Sequence, residues 1–164
     1  VSLEHQLRGA MANNELSLYY QPMACLDDGR ICGAEALMRW QPAGMEMISP
    51  VDFIPMAEDA GLIVAMGEWA IHSACSQIKA WQDAGLPPFP VAVNVSAHQI
   101  TAGTLPQIVR KALQQAGLPP QCLEIELTES VLISDTEMAM QQITELRQMG
   151  LKVSLDDFGT AIRH

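Results

Sequence analysis

Side chains that carry oxygen ligands recur on one face of several predicted β-strands. The residues concerned are Glu35, Asn94, Glu126, Asp156 and Asp157. They offer carboxylate and amide oxygens and no thiolate or imidazole, which is the ligand set that suits Mg²⁺ or Mn²⁺ rather than structural zinc. Because so many acidic groups in one place would repel one another, a bound divalent cation would also relieve their repulsion. The sequence therefore predicts a divalent-metal site.

The alternating polarity of these strands has a simpler explanation, since a strand with one polar face is more often just half exposed. Three of the strands, however, are separated by predicted helices, which implies parallel βαβ units with helices packed on the sheet. The carboxyl ends of parallel strands meet at one edge of a sheet, and barrel enzymes carry their chemistry there. We therefore favour a functional site over a merely solvated face.

The order of the predicted elements indicates an α/β fold. Strands are predicted at residues 16–22, 31–40, 90–96, 122–128 and 152–157. Helix ends are predicted at the Gly-Leu pairs of residues 61–62, 85–86, 117–118 and 150–151. A helix is also predicted over residues 1–14, and Ser49, Thr104 and Ser134 are expected to cap the helices that follow them. A βα barrel or an open sheet would fit, but a closed barrel of eight units needs ~250 residues.

Length and composition exclude several classes of protein. The chain has 164 residues, 49% of them hydrophobic and 17% charged, which predicts one globular domain with a sizeable core. A net charge of -10 argues against a protein that wraps a nucleic-acid backbone, so no DNA or RNA partner is expected. The cysteines form no C-x-x-C pair, so we expect no disulfide scaffold and a cytoplasmic location. No apolar run approaches the ~20 residues of a membrane span, so no membrane contact is expected within this chain.

Short motifs along the chain form a recognisable series. They are YQP at 20–22, EALMRW at 35–40, FIPMAE at 53–58, NVS at 94–96, ELTE at 126–129 and DDFGT at 156–160. Any one of them is weak evidence, whereas all of them in this order and spacing are specific. Together they resemble the signature segments of the EAL domain family, the bacterial cyclic-di-GMP phosphodiesterases, and the resemblance covers essentially residues 1–160.

This resemblance implies both a fold and an activity. The family fold is a modified TIM-like (β/α)₈ barrel, of which this chain would supply about the first five strands. The implied reaction is the hydrolysis of cyclic di-GMP (c-di-GMP) to linear pGpG, with two Mg²⁺ or Mn²⁺ ions as cofactors, in bacterial second-messenger signalling. Two metal ions suit such a displacement at phosphorus, because together they can activate water and stabilise the leaving oxygen.

The resemblance also assigns roles to the oxygen-bearing residues. Glu35, Asn94, Glu126 and Asp156 match metal ligands of the family. Asp157 matches an aspartate that serves the other metal and the attacking water. The catalytic set implied in this way consists of Glu35, Asp156 and Asp157.

Further matches concern substrate binding and one loop. Gln21, Leu37 and Arg39 resemble substrate contacts, with Arg39 near a phosphate. Glu129 resembles a glutamate that stabilises a loop facing substrate and metal. Among the remaining residues, we expect Glu58 to be solvated or capping and Trp40 to pack in the core.

The chain departs from the family pattern after residue 160. The catalytic lysine, a later metal-binding glutamate and a glutamine for the guanine end are not matched, so residues 1–164 are expected to be an EAL phosphodiesterase domain truncated on its carboxyl-terminal side. An alternative is a catalytically incomplete EAL domain that acts as a c-di-GMP receptor or a protein-interaction module. An unrelated metal hydrolase on a barrel is a third possibility.

The expected partners follow from these hypotheses. Cyclic di-GMP is the expected ligand. An open edge strand recruits other strands, so a homo-oligomer is expected. A regulatory sensor domain, or a membrane anchor, in a longer parent protein is compatible with the resemblance.

Overall fold

The computed structural model describes residues 2–128, 131 and 136–156. The strands are β1 (Leu16–Ala24), β2 (Ile31–Trp40), β3 (Val91–Val95), β4 (Leu123–Thr128) and β5 (Lys152–Asp156). The helices are α1 (Leu3–Arg8), α2 (Pro50–Asp59), α3 (Ile63–Asp83), α4 (Ala97–Thr101), α5 (Leu105–Ala116) and α6 (Thr136–Met149), with a short 3₁₀ turn at Pro120–Cys122 before β4. The predicted α/β class is confirmed.

The strands form one sheet in the order β1-β2-β3-β4-β5. The first pair, β1 and β2, is antiparallel, whereas each later pair is parallel. Sequential parallel strands joined by helices are the arrangement that brings carboxyl ends to one edge. The antiparallel hairpin at the start means that β1 contributes its amino-terminal half to that same edge.

The buried apolar residues form two clusters. The larger one lies between the sheet and the helices α3, α5 and α6, and it contains the alternating residues Val91, Val93 and Val95 of β3. The smaller one joins α1, α2 and the start of α3 around Trp40 and Phe53. Trp40 is fully buried and meets Phe53 edge-on at 5.9 Å between ring centroids, as the packing role predicted for it requires.

Four helices of the described chain end in the same way. In each case the leucine that follows the glycine donates its backbone N–H to a carbonyl five residues earlier, as Leu118 does to Leu113 at 3.0 Å and Leu151 does to Leu146 at 3.2 Å. This bond satisfies a carbonyl that the helix end would leave without a partner. The predicted Gly-Leu stops are confirmed.

Other local predictions need correction. The first helix is much shorter than predicted and ends at Arg8, and β1 continues to Ala24. Thr104 makes no side-chain capping bond, so the helix cap predicted there is wrong. Ser49 caps α2 as predicted, whereas Ser134 lies outside the described residues.

Two of the four cysteines pair, which their spacing did not predict. Cys25 and Cys32 form a disulfide across the β1–β2 hairpin, with their Cα atoms 5.4 Å apart. Cys75 and Cys122 are free and buried. Burial, with a smaller contribution from Cys122, raises the pKa of the Cys75 thiol to about 12, so this sulfur stays protonated and unreactive at neutral pH.

Two of the helix-ending glycines allow a direct comparison of backbone strain and crowding. Gly117 has φ 69° with open space where a Cβ would stand, whereas Gly150 has φ 107° and a Cβ there would lie 3.3 Å from that of Pro120. We expect Gly117→Ala to lower the free energy of unfolding by about 1 kcal/mol, the cost of a left-handed alanine. Gly150→Ala should cost clearly more, because the new methyl group also crowds Pro120. Urea denaturation of both variants checks this, and equal losses would contradict it.

Candidate functional site

A hydrogen bond between side chains of two neighbouring parallel strands lies at the centre of the site. Ala36 of β2 is aligned with Val93 of β3, so Glu35 and Asn94 project from the same face of the sheet close to that pair. The Asn94 side-chain amide Nδ2 donates to Glu35 Oε2 at 3.0 Å. Both residues lie on the face predicted to be polar, and the structure brings these two predicted ligands into direct contact.

Glu126 lies at the same level one strand further along. In the register of β3 and β4 it is aligned with Asn94, and in the register of β4 and β5 with Ser154. Its residue is only 3% exposed, although it carries a carboxylate. A buried carboxylate needs charge-compensating or hydrogen-bonding groups around it, and a bound cation would be one such group.

The structure describes the remaining predicted acidic residues only in part. Asp156 ends β5, with its backbone aligned with Thr128 of β4, but its side chain is outside the described part of the chain. Asp157 and Glu129 also lie outside the described residues. Their roles stay predictions.

The predicted substrate residues line up on β1 and β2. Gln21 is aligned with Glu35 across the hairpin, and Leu37 is aligned with Tyr19. Arg39 holds its guanidinium carbon 5.3 Å from the centre of the Tyr19 ring and donates from Nη1 to the carbonyl of Met38 at 3.0 Å. These contacts orient a cation at the site edge of β2 while leaving guanidinium donors for an anionic ligand.

A cavity of ≈ 280 Å³ opens beside this edge, where β2 and β3 separate above α2 and α3. Leu37, Arg39 and Asn94 line it, so predicted substrate and metal residues share one cleft. Glu58 of α2 lines it as well and is half buried. A carboxylate that faces an otherwise largely apolar cleft can accept hydrogen bonds from N–H groups of a ligand.

Glu15 fixes the chain immediately after Arg39, and sequence reasoning did not identify it. Its carboxylate accepts hydrogen bonds from Trp40 Nε1 and from the backbone N–H of Ala43, both at 3.2 Å. Its backbone carbonyl accepts from Gln41 N–H at 3.0 Å. These partners lie more than 20 residues away along the chain, so only the folded structure reveals the contact.

The ligand chemistry of the cluster fits a hard divalent cation. Glu35, Asn94 and Glu126 all present oxygen atoms, and Asn94 adds an uncharged carbonyl oxygen to the carboxylates. No three acidic, histidine or cysteine side chains among the described residues form a metal-binding group by themselves. A site here therefore needs the amide of Asn94 or ligands from the region around Asp156.

No helix within the described residues is both long and apolar enough to span a membrane.

A family model described as "EAL domain" matches residues 4–162 of the chain. Among curated proteins, the bifunctional diguanylate cyclase/cyclic di-GMP phosphodiesterase MucR of Pseudomonas aeruginosa is 40% identical over 160 residues, which are 98% of this chain and 23% of MucR. The cyclic di-GMP phosphodiesterase PdeR of Escherichia coli K12 is 40% identical over 158 residues, which are 96% of this chain and 24% of PdeR. The chain thus spans about a quarter of the length of these relatives.

Solved structures show the same fold. The PaMucR phosphodiesterase in complex with c-di-GMP superposes with a TM-score of 0.90 at 40% identity, covering 98% of this chain and 65% of that one. The FimX EAL domain of Xanthomonas citri, in complex with c-diGMP, superposes with a TM-score of 0.81 at 26% identity, covering 92% of this chain and 58% of that one. The prediction that the chain supplies the first strands of this type of barrel is confirmed.

The contact between Glu35 and Asn94 makes a charge substitution informative. In metal-free buffer, Asn94→Asp places two carboxylates side by side, so at pH 7 they repel and the free energy of unfolding falls by about 1 kcal/mol. At pH 4 protonation of one carboxyl relieves the repulsion, so the loss shrinks. Asn94→Ala removes the hydrogen bond without adding charge, so its loss should change less between the two pH values than that of Asn94→Asp. Urea denaturation at pH 4 and pH 7 checks this, and a pH-independent loss in Asn94→Asp would contradict the observed contact.

Proposed function

The chain belongs to the EAL domain family, and on that premise we propose that it is the metal-binding and substrate-binding part of a phosphodiesterase that hydrolyses cyclic di-GMP to pGpG. The observation that carries the proposal is the contact of Glu35 with Asn94, level with buried Glu126, at the edge of the cleft lined by Leu37 and Arg39. Hard oxygen ligands beside a guanidinium and an apolar wall match a ligand that combines phosphates with flat bases.

The metal ligands in this proposal are Glu35, Asn94, Glu126, Asp156 and Asp157. Two Mg²⁺ or Mn²⁺ ions held there would supply Lewis-acid chemistry, polarising the phosphoryl group and easing deprotonation of water. The protein contributes a rigid frame, because Glu35, Asn94 and Glu126 stand on adjacent parallel strands whose backbones are hydrogen-bonded to one another. Such rigidity holds ligands close to productive geometry without cost at the moment of reaction.

The substrate contacts in this proposal are Gln21, Leu37 and Arg39. Arg39 is held over the Tyr19 ring, so its remaining donors can meet a phosphate of c-di-GMP without first losing much side-chain freedom. Leu37 and the apolar side chains of α2 and α3 would contact a base and exclude water from it. Glu58 can accept hydrogen bonds from the N–H groups of a guanine edge.

The proposed reaction adds one water molecule across one phosphodiester. A new bond forms between the water oxygen and phosphorus, the bond from phosphorus to the 3′ oxygen breaks, and that oxygen takes a proton, which leaves linear pGpG. Asp157 is proposed to accept the proton of the attacking water, and Glu129 to stabilise a loop that faces substrate and metal. The proposal also includes assembly into a homo-oligomer. It further includes a larger domain and a sensor domain in a longer protein.

The proposal is tested with the natural full-length protein that contains this chain. We expect hydrolysis of c-di-GMP to pGpG with Mg²⁺ or Mn²⁺ and none in the presence of a chelator. Chromatography of the nucleotide products checks this. Tight binding of c-di-GMP without formation of product in the presence of either metal would refute the enzymatic function and favour a receptor function.

Glu126 is expected to bind metal rather than to maintain the fold. Glu126→Gln keeps the side-chain volume but removes the negative charge, so we expect Mn²⁺ affinity to fall by more than about tenfold while the protein stays folded. Glu124→Gln is the matched control, since Glu124 lies two residues earlier on the same face and accepts from Ser154 Oγ at 3.2 Å. Calorimetry with Mn²⁺ checks both variants, and unchanged affinity in Glu126→Gln would remove this residue from the ligand set.

Arg39 is expected to contribute to substrate binding. Arg39→Gln removes a charged donor, so we expect c-di-GMP to bind about tenfold more weakly, corresponding to the loss of one charge-assisted hydrogen bond. Arg30→Gln removes the same charge at the opposite end of β2, where Arg30 pairs with Asp28, and should leave binding unchanged. Calorimetry with c-di-GMP distinguishes the two variants, and equal losses would indicate a general charge effect instead.

A further inference from the structure

We propose that Gln99 is a positioning residue that orients Asn94 through the turn between β3 and α4, and that Gly67 is a glycine because it makes room for the Gln99 side chain. The inference deepens the proposed function, since it concerns how one proposed metal ligand is held. Neither residue is among those predicted from the sequence to act at the site.

The first observation is the hydrogen bonding of the turn. Ser96 N–H donates to Gln99 Oε1 at 3.0 Å, while Ser96 Oγ accepts from His98 N–H at 3.0 Å. The two side chains thus close a reciprocal capping box at the start of α4. Ser96 is two residues after Asn94, so this box fixes the backbone from which the Asn94 side chain extends.

The second observation is the environment of the Gln99 side chain. Gln99 is only 6% exposed and is buried against α3. A Cβ on Gly67 would overlap the carboxamide of Gln99, whose nitrogen, carbon and oxygen are all within contact of that position. The Gln99 side chain therefore occupies the space that is left because Gly67 has no side chain.

The conformation of Gly67 supports this explanation. Gly67 lies inside the 21-residue helix α3 and is not among the glycines with positive φ, so its backbone does not require glycine. Alanine is the better helix former at such a position. The space left for Gln99 is thus the structural reason for glycine there.

The third observation links this pair to the site. Gly67, Gln99, Ser96 and Asn94 all line the cleft beside β2 and β3. Gln99 acts on Asn94 through Ser96 rather than by touching it. Loss of the Gln99 acceptor would leave Ser96 N–H without its partner, loosen the end of β3 and weaken the contact of Asn94 with Glu35.

The alternative is that Gln99 merely stabilises α4, and a second buried glutamine separates the two explanations. Gln142 of α6 is also 6% exposed and donates from Nε2 to the carbonyl of Ile100 in α4 at 2.6 Å. It supports the same helix from the other side and has no contact with Ser96 among the hydrogen bonds described. Gln142→Met is therefore the matched control for Gln99→Met.

The test first uses NMR of the metal-free protein, with the side-chain amide of Asn94 as the probe. We expect Gln99→Met and Gly67→Ala each to lower its heteronuclear NOE and to speed exchange of its protons at least fivefold, whereas Gln142→Met leaves both unchanged. Gln99→Glu keeps the acceptor of the capping box and should restore the parent behaviour. If Gln99→Met fails to fold, Gly67→Ala decides, because alanine itself favours the helix.

Mn²⁺ affinity provides the second measurement. We expect it to fall about tenfold in Gln99→Met and Gly67→Ala but not in Gln142→Met, as is typical when a group that orients a metal ligand is lost. An unchanged Asn94 signal in both variants, or an equal effect in Gln142→Met, would overturn the role of Gln99. A parent protein that binds no Mn²⁺ would refute the proposed metal site, and the metal-free NMR comparison would still decide the inference.

Discussion

The architecture of the site depends on the register of three parallel strands. Glu35 on β2, Asn94 on β3 and Glu126 on β4 converge because each strand projects alternate residues to the same face. A shift of one residue in any pairing would turn a carboxylate or an amide into the aliphatic core and bring an aliphatic side chain to the site. The buried faces packed under α3, α5 and α6 therefore specify the register that the chemistry requires.

Much of this could be predicted because the determining signals are local. Alternating polarity in VAVNVS and LEIELT predicts which residues face the helices, and the Gly-Leu pairs predict where helices end. Side-chain direction follows from position along a strand, so the shared face of Glu35, Asn94 and Glu126 needed no knowledge of distant contacts. Their adjacency followed from the expected parallel order.

Most of the features that could not be predicted from the sequence depend on residues far apart in the chain. Glu15 accepts hydrogen bonds from Trp40 and Ala43, and Gln99 packs against Gly67. The partners in these contacts are too far apart in the sequence for a local pattern to indicate them. The position of Glu58 beside the cleft was not predicted either, because it depends on how α2 packs against the sheet. The Cys25–Cys32 pair is short-range, yet it depends on how far the β1–β2 hairpin extends, which the predicted end of β1 left too short.

The antiparallel direction of β1 determines where the amino-terminal segment lies relative to the cleft. Because β1 runs opposite to its neighbours, the chain enters the sheet at the edge where the other strands end, and Glu15 is already bonded to the segment that follows Arg39. Glu15 N–H also donates to the carbonyl of Ala10 at 2.9 Å, so the segment that follows α1 is bonded through Glu15 to the chain at the rim of the cleft. The amino-terminal segment is therefore part of the frame that holds this rim in place.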